Sequence, residues 1–313
     1  MWTFPLILAS LLTLGKLEGE FSILNQPRSI SFKGHHQLKE STLGEVYSAS
    51  LGFSNSQFSN WDGMFISNPF YMAEAIATVS VEGVSSINLI KGHNFPLKTD
   101  LEDENIFEIV RDRINLRYPE ADPKVFHINL QNGLEDVSGN DLFKNIKNIK
   151  PRKSTLQFLK NNAEDREFLR EIDLLNSIAD QVPNSLRSDG VPDLFWFKVS
   201  SLHPLVDLYG DNSTEIKEAK KLLNEAIYNL NIAFKKAYNG AVLFSVISSD
   251  ASHTRRTRSI LADAPDTDMN LAADYSEDFP IIFNIILWLS IVLAFSLFAI
   301  ILFIAEMDPG RIQ

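Results

Sequence analysis

No cysteine occurs anywhere in this sequence of 313 residues. Disulfides, thiol catalysis and thiolate metal sites are therefore excluded, and any folded part must be held by burial rather than cross-links. Basic residues are also in short supply: 29 Lys and Arg against 40 Asp and Glu give a net charge of −11. That balance excludes nucleic acid as a partner, since phosphates are held by Lys and Arg. The six histidines are scattered and form no His-Glu-x-x-His pair. There is no Gly-x-Ser-x-Gly elbow, no Walker loop and no Gly-x-Gly-x-x-Gly turn. The sequence thus offers no catalytic constellation and no cofactor site, and the expectation is a protein that is not an enzyme.

What the chain does have is one long apolar run, FPIIFNIILWLSIVLAFSLFAIILFIA, from Phe279 to Ala305. Between Ile281 and Ile304 it holds no charge, and Asn284 is its one strongly polar side chain. As a helix that stretch is roughly 36 Å long, enough to cross a hydrocarbon core of about 30 Å. A helix apolar on every side has no solvated face, so residues 279–305 are expected to span a membrane. At the other end, a short apolar run from Phe4 to Leu14 gives way to small and polar residues near Gly19. It is too short to span and fits a secretory signal peptide over 1–19. Signal and span together predict a single-pass type I protein, with a luminal domain over 20–248 and a short cytosolic tail over 306–313. Arg311 is the one basic residue after the span, so the positive-inside bias is weak and the signal has to set orientation.

The luminal part alternates strand and helix patterns. Short β-type runs broken by Pro27, Gly34 and Gly44 open it. Ala75–Val81, Ser86–Ile90, Val125–Leu130, Asp193–Leu202 and Ala241–Ser248 have the apolar, β-branched and aromatic content of strands. Helices are expected from Asp100, over Ser154–Gln181, and over Asn212–Lys236, where Ile216, Ala219, Leu223, Ile227, Leu230 and Phe234 fall on one face. This order predicts an α/β domain built on a mainly parallel sheet. Residues 249–278 lack periodicity and form a stalk.

Four features carry candidate function. In the stalk, Arg255, Arg256 and Arg258 satisfy the Arg-x-x-Arg pattern of furin-type proteases, and Arg258 to Leu261 the Arg-x-aliphatic-Leu pattern of site-1-type proteases. The plain alternative is a basic run in a loop. Asn212-Ser213-Thr214 is a glycosylation sequon, and Asn212 with Glu215 also has capping-box spacing, so the two roles compete. Asn284, one turn before Trp288, is a polar contact for a partner helix or an interfacial residue in an aromatic belt. His203 and Asp207 follow a strand end at i, i+4, where α/β folds place ligands, although an ordinary loop is the simpler reading.

The residues EFSIL (Glu20–Leu24), the RRTRSIL run and the C-terminal block resemble the renin receptor family, also called V-ATPase accessory protein 2. That block comprises Asn270-Leu271-Ala272, Tyr275, Phe283-Asn284, Leu287-Trp288 and Met307-Asp308-Pro309-Gly310. The rest of the chain matches loosely, as in a divergent, invertebrate-like member. The resemblance implies a type I protein of endomembranes and the plasma membrane, whose helix meets the proteolipid helices of the V-ATPase membrane sector and assists its assembly. It further implies roles in Wnt/Frizzled and planar-polarity signalling, renin or prorenin binding in vertebrate members, and release of a luminal fragment. Phe283, Asn284, Leu287 and Trp288 would then face the partner, with Met307 to Gly310 as a juxtamembrane motif. Asp193–Tyr228 also resembles, faintly, the metal loop of alkaline-phosphatase-like domains, but its acidic and histidine positions do not match. The tail is shorter than the family's sorting tail, which puts tail-dependent retrieval in doubt.

Overall fold

The computed structural model describes residues 19–54, 61–87, 89, 92–100, 103–133, 143, 162–250 and 279–306. These fall into two units, a sheet domain and a single apolar helix. The domain's strands are β1 (Gly19–Asn25), β2 (Ile30–Phe32), β3 (Leu38–Lys39), β4 (Met64–Ile66), β5 (Ala75–Glu82), β6 (His93–Lys98), β7 (Val125–Asn129), β8 (Asp193–Val199) and β9 (Val242–Ser249). Its helices are α1 (Leu43–Ser50), α2 (Asp103–Arg117), α3 (Ala163–Ser185), α4 (Leu202–Tyr209) and α5 (Thr214–Ala237).

Seven strands form one sheet in the order β3-β6-β1-β9-β5-β8-β7, and β2 pairs with β4 in a separate two-stranded sheet. β9, β5, β8 and β7 are mutually parallel. β1 runs antiparallel to both β6 and β9. The expected mainly parallel α/β domain is what forms.

The central strands are buried nearly end to end because both sheet faces are covered. Alternate side chains leave on opposite sides. Ala77, Val79, Phe195, Phe197, Phe244 and Val246 join a core with α3, α4 and α5. Ile76, Leu194, Trp196, Leu243 and Ile247 join a second core with α1 and α2. Burying each of the valine, leucine, isoleucine and phenylalanine side chains among them is worth about 1.5–3 kcal/mol. One polar knot is enclosed: Thr78 Oγ1, Ser245 Oγ and the Tyr47 hydroxyl lie 2.9 to 3.2 Å apart and fasten α1 to β5 and β9.

Several sequence expectations are corrected. Gly44 does not break a strand run but lies inside α1, where a Cβ would stand 3.2 Å from Ile109 of α2; its bareness lets the two helices approach. Ser86, Ile87 and Leu89 are not in a strand; the strand forms at His93–Lys98 instead. Pro96 obscured it, and is tolerated because the outer neighbour β3 pairs only with Leu97 and Lys98. Asp100 precedes α2 and accepts from the Ser41 amide and hydroxyl at 2.8 and 2.9 Å. α3 begins at Ala163, with the Asn162 amide donating to Asp165 at 3.2 Å, and continues past Gln181 through Pro183. Residues 154–161 lie outside the described residues, as do 1–18, 251–278 and 307–313.

The second unit is α6 (Phe279–Glu306), with Phe283–Ile304 long and apolar enough to cross a membrane.

Candidate functional site

Two places concentrate the features singled out by the sequence: the carboxyl edge of the parallel strands, and α6. At the carboxyl edge, β5 ends beside β9, where the Gly83 amide donates to Ser249 O at 2.9 Å. Gly83 has φ +91°, and a Cβ there would meet His203 Cβ at 2.4 Å and Cα at 2.5 Å. His203 is accordingly buried, at 5 % exposure, under the turn that leaves β5. Its Nε2 lies 3.6 Å from Asp207 Oδ2 across one turn of α4. The i, i+4 pair is real, but its histidine is sealed by packing. Nearby in sequence, Lys198 pairs with Glu82 at 3.1 Å across β8 and β5.

The carboxyl edge also holds a group that the sequence reading missed. Glu171 of α3 is 2 % exposed, and its Oε2 accepts from the Ser201 amide (3.2 Å) and hydroxyl (2.6 Å) at the start of α4. Its Oε1 is buried without a hydrogen-bond partner. Burial pushes the carboxyl up to about 7, opposed by the serine donors. A carboxylate at position 171, spaced i+3 from Phe168 and i−4 from Leu175, breaks an otherwise apolar stripe, and that break was the available signal.

At the opposite end of β8, burial pushes Asp193 up to about 6, opposed by donors from Tyr238 and the Lys124 amide. Among the described residues no group of three or more His, Asp or Glu is arranged to hold a metal ion.

Asn212 does not cap α5. The cap is Ser213, whose hydroxyl accepts from the Ile216 amide at 3.1 Å. The expected competition between cap and sequon is therefore absent, because Asn212 stands exposed one residue earlier. Arg255, Arg256, Arg258 and Leu261, and Met307, Asp308, Pro309 and Gly310, lie outside the described residues.

On α6, Phe283 and Leu287, and Asn284 and Trp288, are i, i+4 pairs and share one side of the helix. All four are exposed. Ser290 donates to Ile286 O, and Ser296 to Leu293 O at 2.8 Å, so both hydroxyls are satisfied within the helix. An amide carries two donors and an acceptor, more than a carbonyl one turn back can satisfy. Asn284 carries the one side-chain amide of this helix.

The renin receptor N-terminal domain family matches residues 17–251, and the renin receptor-like transmembrane spanning segment family matches residues 248–312. The chain is 31 % identical over 297 residues to the "ATPase H(+)-transporting accessory protein 2" of Drosophila melanogaster, covering 94 % of this chain and 89 % of that one. It is 28 % identical over 340 residues to the "Renin receptor" of Homo sapiens, covering 99 % and 95 %. Against the Mus musculus "Renin receptor" it is 28 % identical over 332 residues, covering 97 % and 94 %. No solved structure matches the chain. The two family matches meet at the end of β9 and together take in both the sheet domain and α6, and the chain belongs to the renin receptor family.

Proposed function

We propose that this protein is an accessory and assembly factor of the proton-pumping V-ATPase, acting through α6 on the membrane sector. The observation that carries this reading is α6 itself, a spanning helix matched by its own family and presenting Phe283, Asn284, Leu287 and Trp288 on one side. The Drosophila relative bears the name of an accessory protein of an H⁺-transporting ATPase, which supports the choice of partner. Mechanistically, the helix packs against proteolipid helices, and Asn284 supplies a polar contact worth about 1 kcal/mol. Replacing residues 279–305 with an unrelated apolar helix is expected to abolish copurification with pump subunits and to slow vesicle acidification. Unchanged copurification and acidification would remove the proposal.

A second reading is favoured by the name of the vertebrate relatives, "Renin receptor". In it the luminal domain recognises a renin-type ligand or a Wnt/Frizzled complex at the cell surface, and α6 merely anchors. The same helix exchange separates the two readings, because ligand binding by the domain survives it.

Processing in the stalk belongs to either reading. Cleavage after Arg258 by a furin-type protease, or after Leu261 by a site-1-type protease, would release the luminal fragment from the endoplasmic reticulum–endosome–lysosome route. Arg258→Ala is expected to leave the full-length band as the main species, whereas an unchanged fragment pattern would rule out this site.

A further inference from the structure

Two acids lie among the buried positions of α3, Asp165 and Glu171. Both bond the same neighbour. The Tyr209 hydroxyl, at the last residue of α4, donates to Asp165 Oδ2 at 3.2 Å and accepts from Asn162 Nδ2 at 3.1 Å. At the other end Ser201, the N-cap residue of α4, gives Glu171 Oε2 both its amide and its hydroxyl. An eight-residue helix is thus fastened at each end to one partner by a buried carboxyl group. The second oxygens, Asp165 Oδ1 and Glu171 Oε1, are buried and accept no hydrogen bond among the described residues.

The two fastenings differ in chemistry. Burial and the neighbouring Asp165 charge push the Tyr209 phenol up, so it keeps its proton and stays a donor. Burial also raises Glu171, and the donors of Ser201 and Ser200 only partly offset it, so this carboxyl changes charge near neutrality. An ionised Glu171 leaves a charge in the core with one oxygen unbonded, a state relieved by letting water in.

No base is fixed against that charge. On α3 itself Glu167 adds repulsion, and Arg166 and Arg170 are exposed. α4 brings His203 and Asp207, 3.6 Å apart. Lys198 near the end of β8 is paired with Glu82 of β5. The buried positions of α5 carry no charge, nor does the turn Leu130–Asn132.

The backbone beyond Tyr209 permits a swing. Gly210 has φ +79° with nothing within 4 Å of an added Cβ, and Asp207 and Leu208 leave the outer side of α4 exposed. Lifting the Ser201 end draws His203 away from Gly83 and bares Leu202 and Leu205, which are fully buried when α4 is seated.

We propose that α4 is a proton-operated flap, held shut at Ser201 by a neutral Glu171 in an acid medium and released to swing about Tyr209 and Gly210 as the medium turns neutral. The flap rests on the sheet domain alone and does not depend on the pump as partner. It can therefore fail while the V-ATPase reading stands.

Amide hydrogen exchange of the full-length protein in detergent micelles, corrected for the intrinsic pH dependence of exchange, tests this. A carboxyl near 7 when shut and at its ordinary 4.5 when open makes opening roughly 40-fold more frequent at pH 7 than at pH 5. Protection over Leu202–Tyr209 is expected to fall by that order, with little dependence on dilute urea, because the opening exposes little surface. The buried amides of α5 should be better protected and steeply urea-dependent. Glu171→Gln should hold the protection of α4 level across the pH range. Tyr209→Phe should lower it at every pH and keep the pH dependence. Amides of α4 and α5 exchanging together with one urea slope would show that α4 does not open by itself, and would overturn the proposal. So would a pH dependence that persists in Glu171→Gln. Greater opening in acid would overturn it as well, being the result expected if charging of His203 governs α4.

Discussion

The hydroxyl of Tyr238 donates a 2.5 Å hydrogen bond to Asp193 Oδ2, joining the residue that closes α5 to the first residue of β8. Both groups are nearly inaccessible, at 1 % and 2 % exposure. The other carboxylate oxygen accepts from the Lys124 amide at 2.7 Å, just ahead of β7. One side chain thus ties a helix end and two strand starts. Tyr238→Phe removes a donor and leaves a buried acceptor short, an effect of about 1–3 kcal/mol. The lost bond favoured the charged carboxylate. Denaturant unfolding is therefore expected to show the larger loss above about pH 6, where Asp193 is ionised, and a smaller one below it.

Glu171 gives the domain a stability that rises as the medium acidifies. Its folded value, near 7, lies above the ordinary 4.5, so between those limits the folded chain holds a proton that the unfolded chain has released. The slope of unfolding free energy against pH follows the protons bound unfolded minus those bound folded, and here it is negative. Stability is expected to fall as pH rises from about 4.5 to about 7, by roughly 3 kcal/mol for full titration of this group. Asp193 adds a contribution of the same sign between its ordinary 3.8 and about 6. Glu171→Gln mimics the protonated form, and melting temperature against pH should flatten in that variant across the upper window. An unchanged pH profile would show that Glu171 does not hold the proton.

Gly83 offers a packing test at the same edge. Its φ of +91° suits glycine, and a methyl group would enter His203 at 2.4 Å. Gly83→Ala combines backbone strain of about 1–3 kcal/mol with a clash against a helix backbone. Gly190 is a matched control, with φ +83° and nothing within 4 Å of the added Cβ. Thermal unfolding should place Gly83→Ala well below Gly190→Ala; equal losses would mean that His203 moves aside freely.

The pattern of success in reading the sequence follows from these contacts. β5, β8 and β9 were legible because burial on both faces makes them mostly apolar, β-branched and aromatic, and α5 because its stripe keeps a helical period over its whole length. β6 and α1 were not, because Pro96 and Gly44 answer to neighbours far away in sequence: a two-residue outer strand, and Ile109. Strand order was hidden for the same reason, since β1 reaches β9 from the other end of the domain. At the candidate sites the spanning helix was read directly from its composition. Glu171 and Asp193 went unnoticed because a charged residue in a stripe looks like surface until its surroundings are known.

The cap of α5 separates two roles that the sequence placed on one side chain. Ser213 holds the Ile216 amide, while Asn212 is exposed and Thr214 Oγ1 donates to Glu215 at 2.9 Å. Ser213→Ala should therefore lower stability by about 1 kcal/mol, the usual cost of a lost serine cap. It leaves Asn-x-Thr intact, so any glycan on Asn212 is retained. Thr214→Ala destroys the acceptor sequence while the cap survives, so it should abolish a glycosidase-sensitive mobility shift with little change in melting temperature. The two variants are expected to move opposite readouts when expressed through the secretory route. A mobility shift insensitive to Thr214→Ala would mean that Asn212 carries no glycan, and a shift lost in Ser213→Ala would mean that acceptor use depends on the folded cap.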